Sequence, residues 1–180
     1  TLLDTAPDLS WALNQLLVRR GQAPLAVEKV RETITDGTVS MLALAFGIDK
    51  LHPDFHELRR EFLDEYSNNI SKLTTLFPGM DKALKTLTSL GINWGIVTNK
   101  PHHLAEKLVN SLNLHDQCAC LVGAVDGRKS KPDPAPLQYA CELLDIDPAH
   151  CVYVGDAQSD IEAAKRSNMI SIAAMYGYIA

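Results

Sequence analysis

Thr98, Lys131 and the pair Asp156/Asp160 are the residues of this chain best suited to chemistry. They follow three separate apolar runs, Ile92–Val97, Leu121–Val122 and Cys151–Val154. A hydroxyl, a cation and two carboxylates in that order suit a phosphate monoester and a divalent metal. The dianion needs donors around its oxygens, and a metal offsets charge as it moves onto the leaving group. Thr98 offers the hydroxyl, and the backbone N–H groups of Asn99 and Lys100 lie where the pattern turns from strand to helix, a natural anion site. Lys131 adds a point charge in a loop restricted by Pro132 and Pro134. Asp156 and Asp160 are four residues apart, so one helical turn brings both carboxylates to one face, as a hard cation such as Mg2+ prefers.

Singly, each residue has a plainer explanation: Thr98 as a helix N-cap, Lys131 as a solvated charge, Asp156 as a cap and Asp160 as a favourable first-turn carboxylate. Their order and their common place after strands favour the joint reading. The elements that must position them are alternating strands and helices from Phe77 onward. Helices over Asp81–Leu90, Leu104–Leu112, Pro136–Leu144 and Ile161–Ser167 alternate with INWGIVTN, CACLVGAV, HCVYVGD and ISIAAMY. This predicts an α/β fold, a three-layer Rossmann-like core whose parallel sheet is covered on both faces, with ligands outside the carboxyl ends of the strands. The first 75 residues read instead as four amphipathic helices, with Leu9, Leu13, Leu16 and Leu17 on one face of the first and Phe55, Leu58, Phe62 and Tyr66 on the last. The expected organisation is a small helical cap over 7–75 inserted into a core formed by 1–6 and 76–180, with a hinge at Leu73–Gly79.

Composition narrows the classes. With 180 residues, 46% apolar and 22% charged, the chain buries a real core, and its net charge of −5 argues against nucleic acid or an anionic membrane as partner. No apolar run approaches the roughly 18 to 20 residues of a membrane-spanning helix, and the N-terminus lacks a signal-peptide pattern, so the cytoplasm is the expected compartment. Cys118, Cys120, Cys141 and Cys151 include no C-x2-C pair and read as buried free thiols. His102 and His103 are neighbours that do not face one way on a helix, so they read as structural.

Three segments, VTNK (97–100), SKPDP (130–134) and VGDAQSD (154–160), resemble the second, third and fourth motifs of the haloacid dehalogenase superfamily. The opening TLLDTAPD resembles the tail of its first motif, D-x-D-G-T-L-x-D. Within the superfamily the likeness is to the phosphoglycolate phosphatase branch, through TLLDTAPDL, FPGM, VTNKP, SKPDP and YGY. The resemblance implies attack on phosphate by the first aspartate of the first motif and acid–base work by the second. Both would precede Thr1, and the strand and helix with which relatives continue past YGY would likewise be missing. It further implies that Thr98 and Asn99 bind the phosphoryl group and Lys131 stabilises phosphate and nucleophile. Asp156 would be a direct Mg2+ ligand, Asp160 a ligand or a supporting carboxylate, and Asp4 a cap-hinge residue.

The expected activity is Mg2+-dependent hydrolysis of a small phosphorylated metabolite by a monomer or homodimer. The same motifs also resemble phosphatases acting on the 6-phosphate of N-acetylmuramic acid. Asp36 and Thr38, in the cap segment 35–38, are the residues expected to influence this choice, and the Asp36 charge leans against a second anion nearby. A mutase of the β-phosphoglucomutase kind or a dehalogenase shares the fold, although a dehalogenase has no use for paired metal-binding carboxylates. A non-catalytic phosphate-binding module is the alternative of another class, and a D-x-D-G coded ahead of Thr1 would remove it.

Overall fold

The computed structural model describes residues 1–178, so the last two residues of the expected 76–180 span lie outside the described residues. The chain forms two compact units, one of Thr1–Leu2 with Leu76–Gly177 and one of Leu3–Thr75 with Tyr178.

The helical unit begins with the two-residue strand β1 (Leu3–Asp4) and continues through α1 (Ala6–Arg19), α2 (Val27–Arg31), α3 (Thr38–Phe46) and α4 (Phe55–Asn68). The short strand β2 (Thr75–Leu76) pairs with β1 where the chain passes between units. Apolar residues at helical spacing drive the packing: Leu9, Ala12, Leu13, Leu16 and Leu17 of α1 are buried, as are Phe55, Leu58, Phe62 and Tyr66 of α4. Fully burying each leucine of that kind contributes roughly 1.5–3 kcal/mol. Gly47 ends α3 in the left-handed conformation at φ 67°, which costs a residue without Cβ nothing. The run around Val27, Val30 and Ile34 forms only five helical residues, because turns replace the helix after Arg31.

Two carboxylates organise this unit. Asp8 is 1% exposed, and it accepts hydrogen bonds from Leu73 N (3.0 Å), Thr74 N (2.7 Å) and Thr74 Oγ1 (2.6 Å). It therefore fastens the start of α1 to the segment leaving the unit, beyond any effect of its charge on the helix dipole. Asp4 receives both guanidinium nitrogens of Arg31, at 3.0 and 2.8 Å, and the Tyr178 hydroxyl at 2.8 Å. Tyr178 is held again by Thr5 N (2.7 Å) and Ala6 N (3.0 Å) at its hydroxyl and by Thr35 Oγ1 at its carbonyl (2.7 Å).

The α/β unit runs α5 (Met80–Ser89), β3 (Ile96–Pro101), α6 (His102–Ser111), β4 (Leu121–Ala124), α7 (Ala135–Leu144), β5 (Val152–Gly155), α8 (Gln158–Arg166) and β6 (Ile170–Ala173). β3 and β4 form one parallel pair and β5 and β6 another, each with the connecting-helix logic of parallel strands. The strand ladder does not join β3 to β5, so the expected single sheet is present as two parallel pairs. Leu137 of α7 and Ala163 and Ala164 of α8 form a buried cluster against Val97, Tyr153 and Met169. Strand alternation sends Val152 and Val154 to the opposite face, where they are 53% and 44% exposed, and Ile170 and Ile172 are similarly open. Val152, Val154, Ile170 and Ile172 therefore form the open face of β5 and β6.

Replacing Asp8 by Ala leaves three donors at a buried position without their acceptor, and the expected loss is about 2–4 kcal/mol in urea unfolding. A change below experimental error would refute its role as a fastening. For Asp4, burial alone raises the carboxyl pKa, but hydrogen bonds from Arg31 and Tyr178 and the guanidinium charge outweigh it and hold the group below its ordinary 3.8. Its contribution is therefore complete above that value and disappears as pH falls through the lowered pKa. The stability gap between the native chain and Asp4→Asn should be widest near neutral pH and close below about pH 4, measured as urea midpoints across that range. A gap independent of pH would contradict the assignment.

Candidate active site

Lys131 is the centre of the polar cluster in the α/β unit. Its ammonium has three N–H donors, and each finds an acceptor: Asp160 Oδ1 at 2.7 Å, Tyr153 Oη at 2.7 Å and the Val97 carbonyl at 2.9 Å. The side chains of Lys131 and Asp160 are both only 8% exposed. A pair this buried persists only when further hydrogen bonds satisfy both partners. Asp160 has such a bond, because its Oδ2 accepts from Ala157 N at 3.0 Å and closes the first turn of α8. Tyr153 donates to the Val97 carbonyl at 2.9 Å, and burial together with the Asp160 charge keeps its phenol protonated well above the ordinary range.

Gly155 makes room for this arrangement. A Cβ there would stand 2.6 Å from Asp160 Oδ2 and in contact with the rest of that side chain.

The loop bearing Lys131 is fixed by Asn99. Asn99 Nδ2 donates to the Lys131 carbonyl and Lys131 N donates to Asn99 Oδ1, both at 3.0 Å. The same residue whose backbone was expected to meet phosphate thus uses its side chain to hold the lysine loop. Thr98 lies inside β3 rather than past its end. The β3–β4 ladder breaks between Val97 and Pro101, and the Thr98 hydroxyl accepts from Lys100 N at 3.1 Å in that interruption. Lys100 is desolvated, which pulls its pKa down to about 8. Gly123 meets the first residue of α6: its Cβ would come 2.5 Å from His102 Cα, and His102 Nδ1 accepts from Gly123 N at 3.3 Å. His102 is therefore part of the strand–helix junction.

Asp156 follows β5, with its side chain 10% exposed. Its Oδ1 accepts from the Thr1 hydroxyl and lies 3.1 Å from the Thr1 nitrogen. The two carboxylates thus differ. Both Asp160 oxygens accept from protein donors, and Asp156 accepts from Thr1. Among the described residues no three His, Cys, Asp or Glu side chains converge as a ready cage. The Asp156 carboxylate is hard oxygen of the kind Mg2+ takes, an ion that keeps several waters and binds through one or two carboxylates plus phosphate oxygens.

Asp36 and Thr38 belong to the helical unit, Asp36 exposed in the turn before α3 and Thr38 half-buried as its first residue. Tyr153 is the residue that sequence reasoning passed over. Its only signal was a polar-tipped ring inside the apolar run CVYV.

A family model described as haloacid dehalogenase-like hydrolase matches residues 1–174. An N-acetylmuramic acid 6-phosphate phosphatase of Pseudomonas aeruginosa is 36% identical over 179 residues, 99% of this chain and 79% of that protein. A phosphoglycolate phosphatase of Xylella fastidiosa is 40% identical over 184 aligned positions, 99% of this chain and 77% of that protein. Among solved structures, that of a predicted phosphoglycolate phosphatase from Haemophilus somnus superposes with a TM-score of 0.85 at 26% identity, covering 99% of this chain and 82% of that one. Among the described residues no helix is long and apolar enough to cross a membrane.

Substituting Gly155 by Ala should force Asp160 off Lys131 and lower stability by roughly 1–3 kcal/mol in urea unfolding. Unchanged stability would mean that Asp160 is free to move.

Proposed function

The chain belongs to the haloacid dehalogenase-like hydrolases and to their phosphatases, and from that premise we propose that it releases phosphate from a small phosphorylated carboxylic acid with Mg2+ held at Asp156. The observation that carries this reading is the Lys131 ammonium held by Asp160 of α8, Tyr153 of β5 and the Val97 carbonyl of β3, with Asp156 directly after β5. Lys131 would offset the charge of the phosphoryl group, the Thr98 hydroxyl and the Asn99 N–H would donate to its oxygens, and the Asn99 side chain would hold the lysine loop in place. When bound, Mg2+ supplies further positive charge at the transferring group. Asp160 serves in this reading as the carboxylate that orients Lys131.

The nucleophile and the acid–base aspartate are expected from a D-x-D motif ahead of Thr1. The substrate class follows from the two kinds of relative. The phosphoglycolate and N-acetylmuramic acid 6-phosphate named for them are both phosphorylated carboxylic acids.

The test is phosphate release with Mg2+ by the protein taken to its natural N-terminus, from 2-phosphoglycolate, N-acetylmuramic acid 6-phosphate and an aryl phosphate. One of the two acids should be preferred over the aryl phosphate, Lys131→Met should lower kcat/KM by about 100-fold or more, and Asp156→Asn should raise the Mg2+ concentration required. No turnover of any of the three compounds would reject the reading.

A further inference from the structure

The sequence places Cys141 and Cys151 ten residues apart with nothing to link them, yet the structure brings their sulfurs to 3.8 Å. Cys141 is buried near the end of α7 and Cys151 is half-buried just before β5. The segment between them is held at several points. Ile146 N bonds the Cys141 carbonyl at 3.1 Å, the Asp147 side chain accepts from Ala149 N at 2.9 Å, and Cys151 N bonds the Pro148 carbonyl at 3.0 Å. Asp145 caps α7 in the left-handed conformation, φ 51° and ψ 47°, which turns the chain back toward the strand. The proximity of the sulfurs is thus built into the helix–strand connection. A cleft of about 460 Å³ lies on this connection, lined by Gln138, Cys141, Glu142, Asp145, Ile146 and Asp147 among others, so a small reagent can approach.

We propose that Cys141 and Cys151 form an oxidisable dithiol, which a hydroperoxide converts to an intramolecular disulfide between α7 and the start of β5. The sulfur of Cys151, the more exposed of the two, attacks one peroxide oxygen; the O–O bond breaks, Cys151 becomes a sulfenic acid and the first water leaves. The Cys141 sulfur then attacks the Cys151 sulfur, the S–O bond breaks, the S–S bond forms and a second water leaves. Two thiols lose two electrons and two protons, and one hydrogen peroxide is reduced to two waters. Burial and the neighbouring Cys151 thiol push Cys141 up to about 11, so it stays a thiol until its partner is oxidised and then acts as the resolving group. The Cys118 thiol instead donates to the Cys120 carbonyl at 2.9 Å, and burial raises it to about 11; Cys120 is raised by burial and lies near enough to Cys151 for their charges to interact, and no sulfur–sulfur contact is described for it.

The bridge would fasten the helix before β5 to the strand that leads to Asp156 and Asp160, so oxidation state and site geometry are connected through five residues of chain.

The test is treatment of the folded protein with hydrogen peroxide, followed by alkylation, proteolysis and mass spectrometry. A peptide pair joined through Cys141 and Cys151, reversed by dithiothreitol, is the expected product, and it should form faster in the folded protein than in urea. Cys141→Ser should leave a sulfenic acid on Cys151 that dimedone traps, while Cys151→Ser should leave Cys141 unmodified under the same treatment. Circular dichroism establishes that each variant is folded. Absence of the joined pair in folded protein, its equal formation in urea, or earlier oxidation of Cys118 or Cys120 would overturn the proposal.

Discussion

The buried ion pair of Lys131 with Asp160 ties together four parts of the α/β unit. Through it the loop after β4 is fastened to α8, and through the other two lysine bonds to β3 and β5. Removing charges from water is expensive, and an isolated pair in a dry interior rarely repays that expense. Here the remaining valences are filled, by Tyr153 and Val97 on the lysine side and by Ala157 N on the carboxylate side. The lack of a side chain at Gly155 is a condition of the same pair, since the strand must pass within contact of Asp160.

The helical unit is governed by the same physics with different partners. Asp8 binds three donors from the segment that leaves the unit, and Asp4 gathers Arg31, Tyr178 and Ala6 N at the segment that enters it. The Arg31 guanidinium also lies 5.4 Å from the centre of the Tyr178 ring, so cation–π attraction adds to the charge pairing.

Periodicity made the fold class legible. Alternating apolar strands and helices specify a parallel α/β unit, and leucine spacing in α1 and aromatic spacing in α4 specify the helices before it. Long-range side-chain partnerships were not legible. Asp8 read as a first-turn charge because its three donors lie 65 and 66 residues away, and Tyr153 read as core because strand periodicity says nothing of what a phenol reaches. Thr98 was expected at a strand end because the apolar run stops at Val97. A hydroxyl that bonds Lys100 N lets the strand continue through a break in its ladder to Pro101. The cysteine pair was invisible for a similar reason: a spacing of ten becomes a contact only when a helix end and a turn fold it back.

The two aspartates after β5 show why spacing alone leaves roles open. Four residues apart, they read from sequence as two carboxylates on one helical face, and the family resemblance makes Asp156 the direct ligand and Asp160 a ligand or a supporting carboxylate. Local backbone geometry distinguishes them. Asp160 is the third residue of α8, where its carboxylate naturally turns back to the free N–H of Ala157, and that turn aims its other oxygen at Lys131. Asp156 precedes the helix, in the bend that follows β5. A carboxylate fixed by a helix start is suited to orienting a lysine, because its position is set before any ligand arrives. A carboxylate at the strand end lies on the side where parallel strands of this architecture meet their ligands.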